Sequence, residues 1–313
     1  MSQRPCPPPG TCLALTLALV ASTGSIGGIG LARAEPSSTN AKPTPKLPPP
    51  RAVDDILKDV VAALGGADAL GRHRSLHTKM SIVFQGLGIS GTAEHYGAAG
   101  DKALTITAIP NVASTREGSD GSQSWSQDPI NGLRILTGVE AEQARVEAAW
   151  NSELRMRELF PKIEARSDVG DDGARLECLV MTPKLGPEMT ECFDAGTHLL
   201  VSQRGVRSGP QGDTPFVARM KDWRRVADMK VPFVTEMQVG PLAFVGTVTS
   251  AELDVPVEAA LFALPDTASG NGVDGNGATG LSPKGRGKGK AGTGARRQVA
   301  APRTPALASP TTP

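Results

Sequence analysis

Aromatic residues are scarce in this chain. Its 313 residues include three Trp, one Tyr and seven Phe, and every one of them falls between Phe84 and Phe262. The flanks therefore hold no ring around which a core could form, and a second folded domain is excluded. Long apolar runs are missing beyond residue 34, which excludes a polytopic helical membrane protein. Net charge is nearly absent too, at +1, but this averages over segments of opposite sign. Residues 51–265 carry 22 Lys/Arg against 29 Asp/Glu, a net of −7, whereas residues 266–313 carry 7 against 2, a net of +5. Only residues 51–265 have the composition of a folded domain.

Residues 1–34 read as a secretory signal peptide. Arg4 supplies a weakly positive start, Cys12 to Leu31 is uncharged, and Ala32-Arg33-Ala34 places small residues at −3 and −1 of a cut after Ala34. The alternative is an uncleaved inner-membrane anchor, against which the glycines at 24, 27, 28 and 30 weigh. Neither Cys6 nor Cys12 follows the apolar run as a lipoprotein cysteine would. Residues 35–50, EPSSTNAKPTPKLPPP, form a Pro-rich linker with extended backbone. Residues 266–313, rich in Gly, Pro, Ala and Thr, offer too little apolar burial to offset the entropy of ordering and read as a disordered basic tail.

The domain opens on a helix. Val53, Ile56, Leu57, Val60 and Leu64 share one face, acids sit near the N-terminus, and Gly65-Gly66 ends the helix. From Leu76 the period becomes two: Leu76, Met80, Ile82 and Phe84 alternate with His77, Lys79, Ser81 and Gln85. Strands are expected at 89–97, 102–109, 112–117 and 122–127, with a turn at Gly118-Ser119-Asp120-Gly121. Residues 140–159, free of Gly and Pro, predict one mid-domain helix. Strands resume at 162–166, 174–182, 188–194, 198–205, 215–225, 231–239 and 242–252, and Val257–Phe262 reads as a short closing turn. The fold class is α+β: a strongly curved antiparallel sheet, an incomplete β-barrel, with an N-terminal and a mid-domain helix over its open side.

Cys178 and Cys192 lie symmetrically about residue 185, at the centre of Pro183-Lys184-Leu185-Gly186-Pro187. A hairpin turning there opposes the two residues within disulfide reach. In an oxidising compartment a Cys178–Cys192 bond is expected, the alternative being two buried thiols.

Motifs of catalysis dissolve on inspection. Gly270-Asn-Gly272-Val-Asp-Gly275 matches a dinucleotide-binding string but has no strand before it and no helix after it. His73 and His77 are four apart, yet the strand pattern begins between them, and no further ligands cluster nearby, so no metal site is assigned. His95 and His198 stand alone, and no catalytic residue or cofactor is assigned. The tail's Lys284, Arg286, Lys288, Lys290, Arg296 and Arg297 suit either a solvated spacer or contact with an anionic envelope surface. Without interleaved aromatics they do not suit nucleic acid.

Short blocks recur in a recognisable order: Ala63-Leu64-Gly65-Gly66-Ala67-Asp68-Ala69-Leu70, a Trp125-bearing strand, Glu158-Leu159-Phe160-Pro161, Phe193-Asp194-Ala195-Gly196-Thr197-His198-Leu199-Leu200, Asp222-Trp223-Arg224-Arg225-Val226, Val231-Pro232-Phe233, and Phe262-Ala263-Leu264-Pro265. Residues 51–265 thereby resemble the exported bacterial carriers and sorting proteins of outer-membrane lipoproteins, the LolA/LolB/LppX-like group. The resemblance implies a half-barrel whose cavity binds acyl chains or other hydrophobic ligands, with a lipid, a hydrophobic small molecule or an acylated protein as partner. Met80, Ile82, Phe84, Trp125, Phe216, Met220, Phe233, Met237 and Phe244 are the expected lining, since a curved sheet needs its inner face filled and methionine accommodates irregular chains. Each of them equally suits an ordinary core. Three functions therefore compete: a periplasmic hydrophobe carrier, a ligand-free structural or interaction module, and a hydrolase. The last would need a polar cluster inside the cavity, such as a His with two acids, which spacing does not place.

Intact mass spectrometry of the exported protein tests the address and the bond together. The expected chain begins at Glu35 and takes up two alkyl groups only after reduction; two groups taken up without reduction would refute the disulfide.

Overall fold

The structure is a computed structural model that describes residues 47–265. The signal peptide and its cut after Ala34, the linker up to residue 46, the basic tail and the Gly270–Gly275 string lie outside the described residues.

Helix α1 (Val53–Leu64) buries Ile56, Val60 and Leu64 and carries Asp54 and Asp55 in its first turn. It stops where the periodicity stops. Gly65 and Gly66 take φ values of 132° and 91°, and the Gly66 N–H donates to the Val61 carbonyl at 2.8 Å. A Cβ on Gly65 would overlap the carbonyl oxygen of Asp228, so only glycine fits this close approach. Helix α2 (Ala67–Arg72) then leads into the sheet.

One sheet of 13 antiparallel strands follows, in the order β6-β5-β4-β3-β2-β1-β13-β12-β11-β10-β9-β8-β7. Two meanders build it. The first comprises β1 (Ser75–Phe84), β2 (Ile89–Ala98), β3 (Lys102–Ile109), β4 (Ala113–Asp120), β5 (Ser124–Asp128) and β6 (Gly132–Ile135). The second comprises β7 (Lys162–Val169), β8 (Arg175–Thr182), β9 (Met189–Asp194), β10 (Leu200–Arg207), β11 (Thr214–Val226), β12 (Met229–Val239) and β13 (Leu242–Leu253). Pairing of β1 with β13 joins them, with a register shift at Lys79/Met80. β6 and β7 form the two edges, so the barrel stays incomplete. Between those edges run α3 (Gly138–Glu147), a 3-10 turn at Ser152–Leu154 and α4 (Met156–Leu159). The main core lies between α1, this crossover and the inner sheet face.

Several expectations need correction. Gly118 to Asp120 continue β4 instead of turning, because the Trp125 ring packs against Gly118 where a Cβ would overlap it. The turn falls at Gly121–Gln123, held by Asp120 Oδ1 accepting the N–H groups of Ser122 and Gln123 at 2.8 Å. β6 was not foreseen. The single helix over 140–159 is instead interrupted at Ala148–Asn151. There the Trp150 N–H donates to Asp101 Oδ1 at 3.0 Å, its indole N–H donates to the His73 carbonyl at 3.3 Å, and Asn151 adopts φ 53°. Tertiary anchors override a sequence of good helix formers.

Cys178 and Cys192 pair in register between β8 and β9 and are bonded, with Cα atoms 4.0 Å apart. With both sulfurs in that bond, the nearby Asp168 gains no thiolate partner for a metal. Elsewhere, His73 links the start of the sheet to two later strands. Its Nδ1 lies 2.7 Å from Asp254 and its Nε2 2.9 Å from Asp228. Burial opposes protonation of this imidazole, but the hydrogen bonds to Asp228 and Asp254 outweigh it, and its pKa is raised.

A histidine with a raised folded-state pKa stabilises fully below its ordinary value of about 6.5 and loses that contribution as pH rises through the folded value. The stability difference between wild type and His73→Gln, read by chemical denaturation, is accordingly expected to be largest at pH 6 and to shrink by pH 9.

Candidate functional site: two adjoining cavities

Strand alternation sends one residue of each strand inward, and the register aligns these residues across the sheet. In the first meander such a row is polar: Thr78 pairs with His95, His95 with Thr105, Thr105 with Glu117, Glu117 with Ser126 and Ser126 with Arg134. In the second meander the matching row runs Leu179, Glu191, Gln203, Ala218, Met237 and Phe244. Along this row the first meander is polar and the second mostly apolar, whereas Met80, Ile82 and Phe84 of the first meander belong to the main core.

Two cavities follow from this division. The first, about 160 Å³, lies under α1 and the crossover and is lined by Leu57, Met156, Phe160, Phe216, Met220 and Met237 among others. The second, about 700 Å³, lies between α3, β3–β6 and the hairpin tips at 208–214 and 239–242. His95, Gln143, Glu147, Arg207 and Val239 line both, so the two adjoin.

Ion pairs dominate the larger cavity. Arg134 donates to Glu140 at 2.6 and 2.9 Å, and Arg207 pairs with Glu147. Asp128 accepts the N–H groups of Ile130 and Asn131 at 2.8 Å. Gln143 ties α3 to β10, donating to the Val206 carbonyl at 2.7 Å and accepting from Ser208 N at 3.0 Å. Glu117 is different. Among the described residues nothing donates a hydrogen bond to it and it forms no ion pair, although it is half-buried and lines the cavity. Burial, reinforced by Glu147 and Asp128 against the pull of Arg207 and Arg134, pushes its pKa up to about 7. In the smaller cavity, burial and the charge of Glu153 raise Glu191 to about 7, although Gln203 donates to it at 3.0 Å. Burial pushes His95 down to about 4, leaving a neutral imidazole 2.9 Å from the Thr105 hydroxyl.

The residues expected to line the cavity are dispersed. Phe216, Met220 and Met237 border the apolar cavity. Met80, Ile82, Phe84 and Phe244 are buried in the main core, the two Phe rings 5.4 Å apart. Phe233 is half-buried with the Arg224 guanidinium 4.4 Å above its ring. Trp125 adjoins the polar cavity but belongs to a second cluster with Ala98, Leu104 and Phe262, its indole N–H donating to the Phe262 carbonyl at 3.1 Å. The charged residues of the cavity went unnoticed in the sequence, where polar positions of an alternating strand read as the solvent face.

No family model matches the chain, and no curated protein does. Among solved structures, the chain is similar to a LolA superfamily protein from Nitrosomonas europaea, at 10% identity and TM-score 0.46 over 68% of this chain and 98% of that one. It is also similar to a DUF1329 family protein from Desulfovibrio piger, at 12% identity and TM-score 0.45 over 67% and 97% of the respective chains.

An acid whose folded-state pKa is raised holds a proton that the unfolded chain has released, so stability falls as pH rises between the two values. For Glu117 that window runs from 4.5 to about 7. Glu117→Gln is expected to match wild type in melting temperature at pH 4.5 and to exceed it by about 3 °C or more at pH 8, as followed by circular dichroism.

Proposed function

We propose that this protein is an exported, non-catalytic binding protein of the cell envelope that holds an amphipathic, lipid-like molecule inside the half-barrel. The observation that carries this reading is the pair of adjoining cavities, both with largely apolar walls, the larger also carrying the ion pairs of Arg134 and Arg207. The larger has the volume of a small-molecule site, and the smaller has that of an engineered cavity able to take a benzene ring. An acyl or alkyl segment suits the Phe216, Met220 and Met237 wall, and a polar head suits the space beside Arg134 and Glu117. Export is inferred from the sequence pattern of residues 1–34, and contact of the basic tail with an anionic envelope surface completes the proposal.

A second reading, the ligand-free interaction module, draws on the small volume of the apolar cavity, about 160 Å³. Native mass spectrometry of the exported protein, with solvent extraction of co-purifying molecules, separates the two. The carrier reading expects a stoichiometric amphiphile, and expects it to be lost in Ala218→Phe, which fills the apolar cavity of a protein whose folding circular dichroism verifies. Bare protein that also ignores added amphiphiles would overturn the carrier and favour the module.

A further inference from the structure

The ligand's charge can be read from the cavity walls. Seven Asp/Glu and three Lys/Arg side chains line the two cavities together. Of the three bases, Arg134 is matched by Glu140 and Arg207 by Glu147, although Arg134 Nε makes no hydrogen bond, and Lys102 borders only the smaller cavity, so the larger one offers an anionic head no uncompensated charge. Asp128 is satisfied by backbone N–H groups and by Asn131. The carboxylate of Glu117, in the middle of the polar row, has no cation and no donor of its own among the described residues. A half-buried carboxylate at a cavity wall gains from a cation placed against it, because no ion pair of its own competes for that cation. Its strand neighbours Thr105 and Ser126 place hydroxyl groups on either side, able to accept further hydrogen bonds from a donor there. Among the described residues Trp125 is the one Phe, Tyr or Trp bordering this cavity, and its indole is engaged with Phe262, so an aromatic cage for a quaternary ammonium is absent there.

Resting on the binding reading above, we infer that the ligand is a cationic amphiphile, an alkyl chain ending in a primary or secondary amine, whose ammonium group sits against Glu117. An N–H-bearing head meets Glu117 as a charge-assisted hydrogen bond and is the group this cavity lacks. Phosphate and carboxylate heads meet four carboxylates, Glu117, Asp128, Glu140 and Glu147, and no free guanidinium. Affinity depends on pH in a definite direction. The alkylammonium stays protonated well above neutrality, as a lysine does, whereas Glu117 becomes anionic as pH rises through about 7. The other charged and titratable groups facing this space are His95 on β2, Asp128 on β5, Arg134 on β6, Glu140 and Glu147 on α3, and Arg207 on β10. His95, held down at about 4, stays neutral above pH 5.5.

The test is titration calorimetry of the full mature chain with decylamine, decanol and decanoate, each below its aggregation limit, at pH 5.5 and pH 8. Decylamine is expected to bind roughly tenfold or more tightly than decanol at pH 8, to weaken at pH 5.5, and decanoate to bind weakest of the three. In Glu117→Gln, decylamine is expected to fall to the affinity of decanol while decanol is unchanged. Equal affinity for amine and alcohol in wild type, or preference for decanoate, overturns the inference and leaves the binding reading standing. Absence of binding by all three overturns the binding reading itself. Since the wild-type comparison needs no variant, a Glu117→Gln protein that failed to fold would not shield the inference.

Discussion

The ladder between β1 and β13 is the contact on which the rest of the domain depends. It brings the first strand of one meander against the last strand of the other, so that 13 strands share one sheet. Leu76 faces Leu253, Met80 faces Val248 and Phe84 faces Phe244, which makes this seam the apolar floor of the half-barrel. The register shift at Lys79/Met80 adds local twist where curvature is needed. His73 reinforces one end of the seam, because Asp254 follows β13 and Asp228 lies between β11 and β12. The ladder joins residues separated by almost the full length of the domain, so among the strand pairings it closes the longest loop.

Joining the meanders at one side leaves β6 and β7 unpaired with each other at the far side. Because the sheet does not close, its inner face cannot be filled by strand side chains alone. The two halves meet this differently. The second meander fills its share with Leu179, Met220 and Met237, under Phe160 and α1. The first meander presents Thr105, Glu117, Ser126 and Arg134 to an open space that α3 covers with Glu140, Gln143 and Glu147. Both cavities draw walls from both meanders, and the ion pairs of Arg134 and Arg207 with α3 mark the larger one.

Much of the architecture was legible because it rests on local signals. The one-faced pattern of Val53 to Leu64, the glycine pair after it and the alternation from Leu76 onward all appear in the structure as α1, its stop and β1. The disulfide followed from the symmetry of Cys178 and Cys192 about a Pro/Gly turn, and the register bears it out. What escaped depended on distant partners. β6 is only four residues long and gains its strand character from β5. The break after α3 is imposed by Asp101 and His73, far away in sequence. Carrying the inward phase of Met80 through successive hairpins would have put His95, Thr105 and Glu117 on the concave face. That step needs turn lengths exact to one residue, since a slip of one reverses every side chain, and β4 runs three residues past its expected end at residue 117.

The two helical covers are held by different forces. Helix α1 buries Ile56, Val60 and Leu64 in the main core. Removing three such side chains from their packing forfeits roughly 1.5–3 kcal/mol each. Helix α3 buries none of its residues. Its attachments are the pairs Glu140–Arg134 and Glu147–Arg207 and the Gln143 bonds to Val206 and Ser208, all of them partly accessible to water. Pairs of that kind contribute about 0–1 kcal/mol each and weaken with salt. Helix α3 adds Val146 against the main core, but its remaining ties are polar, and the same Glu140 and Glu147 that pair with the arginines are the groups that fasten this cover to the sheet.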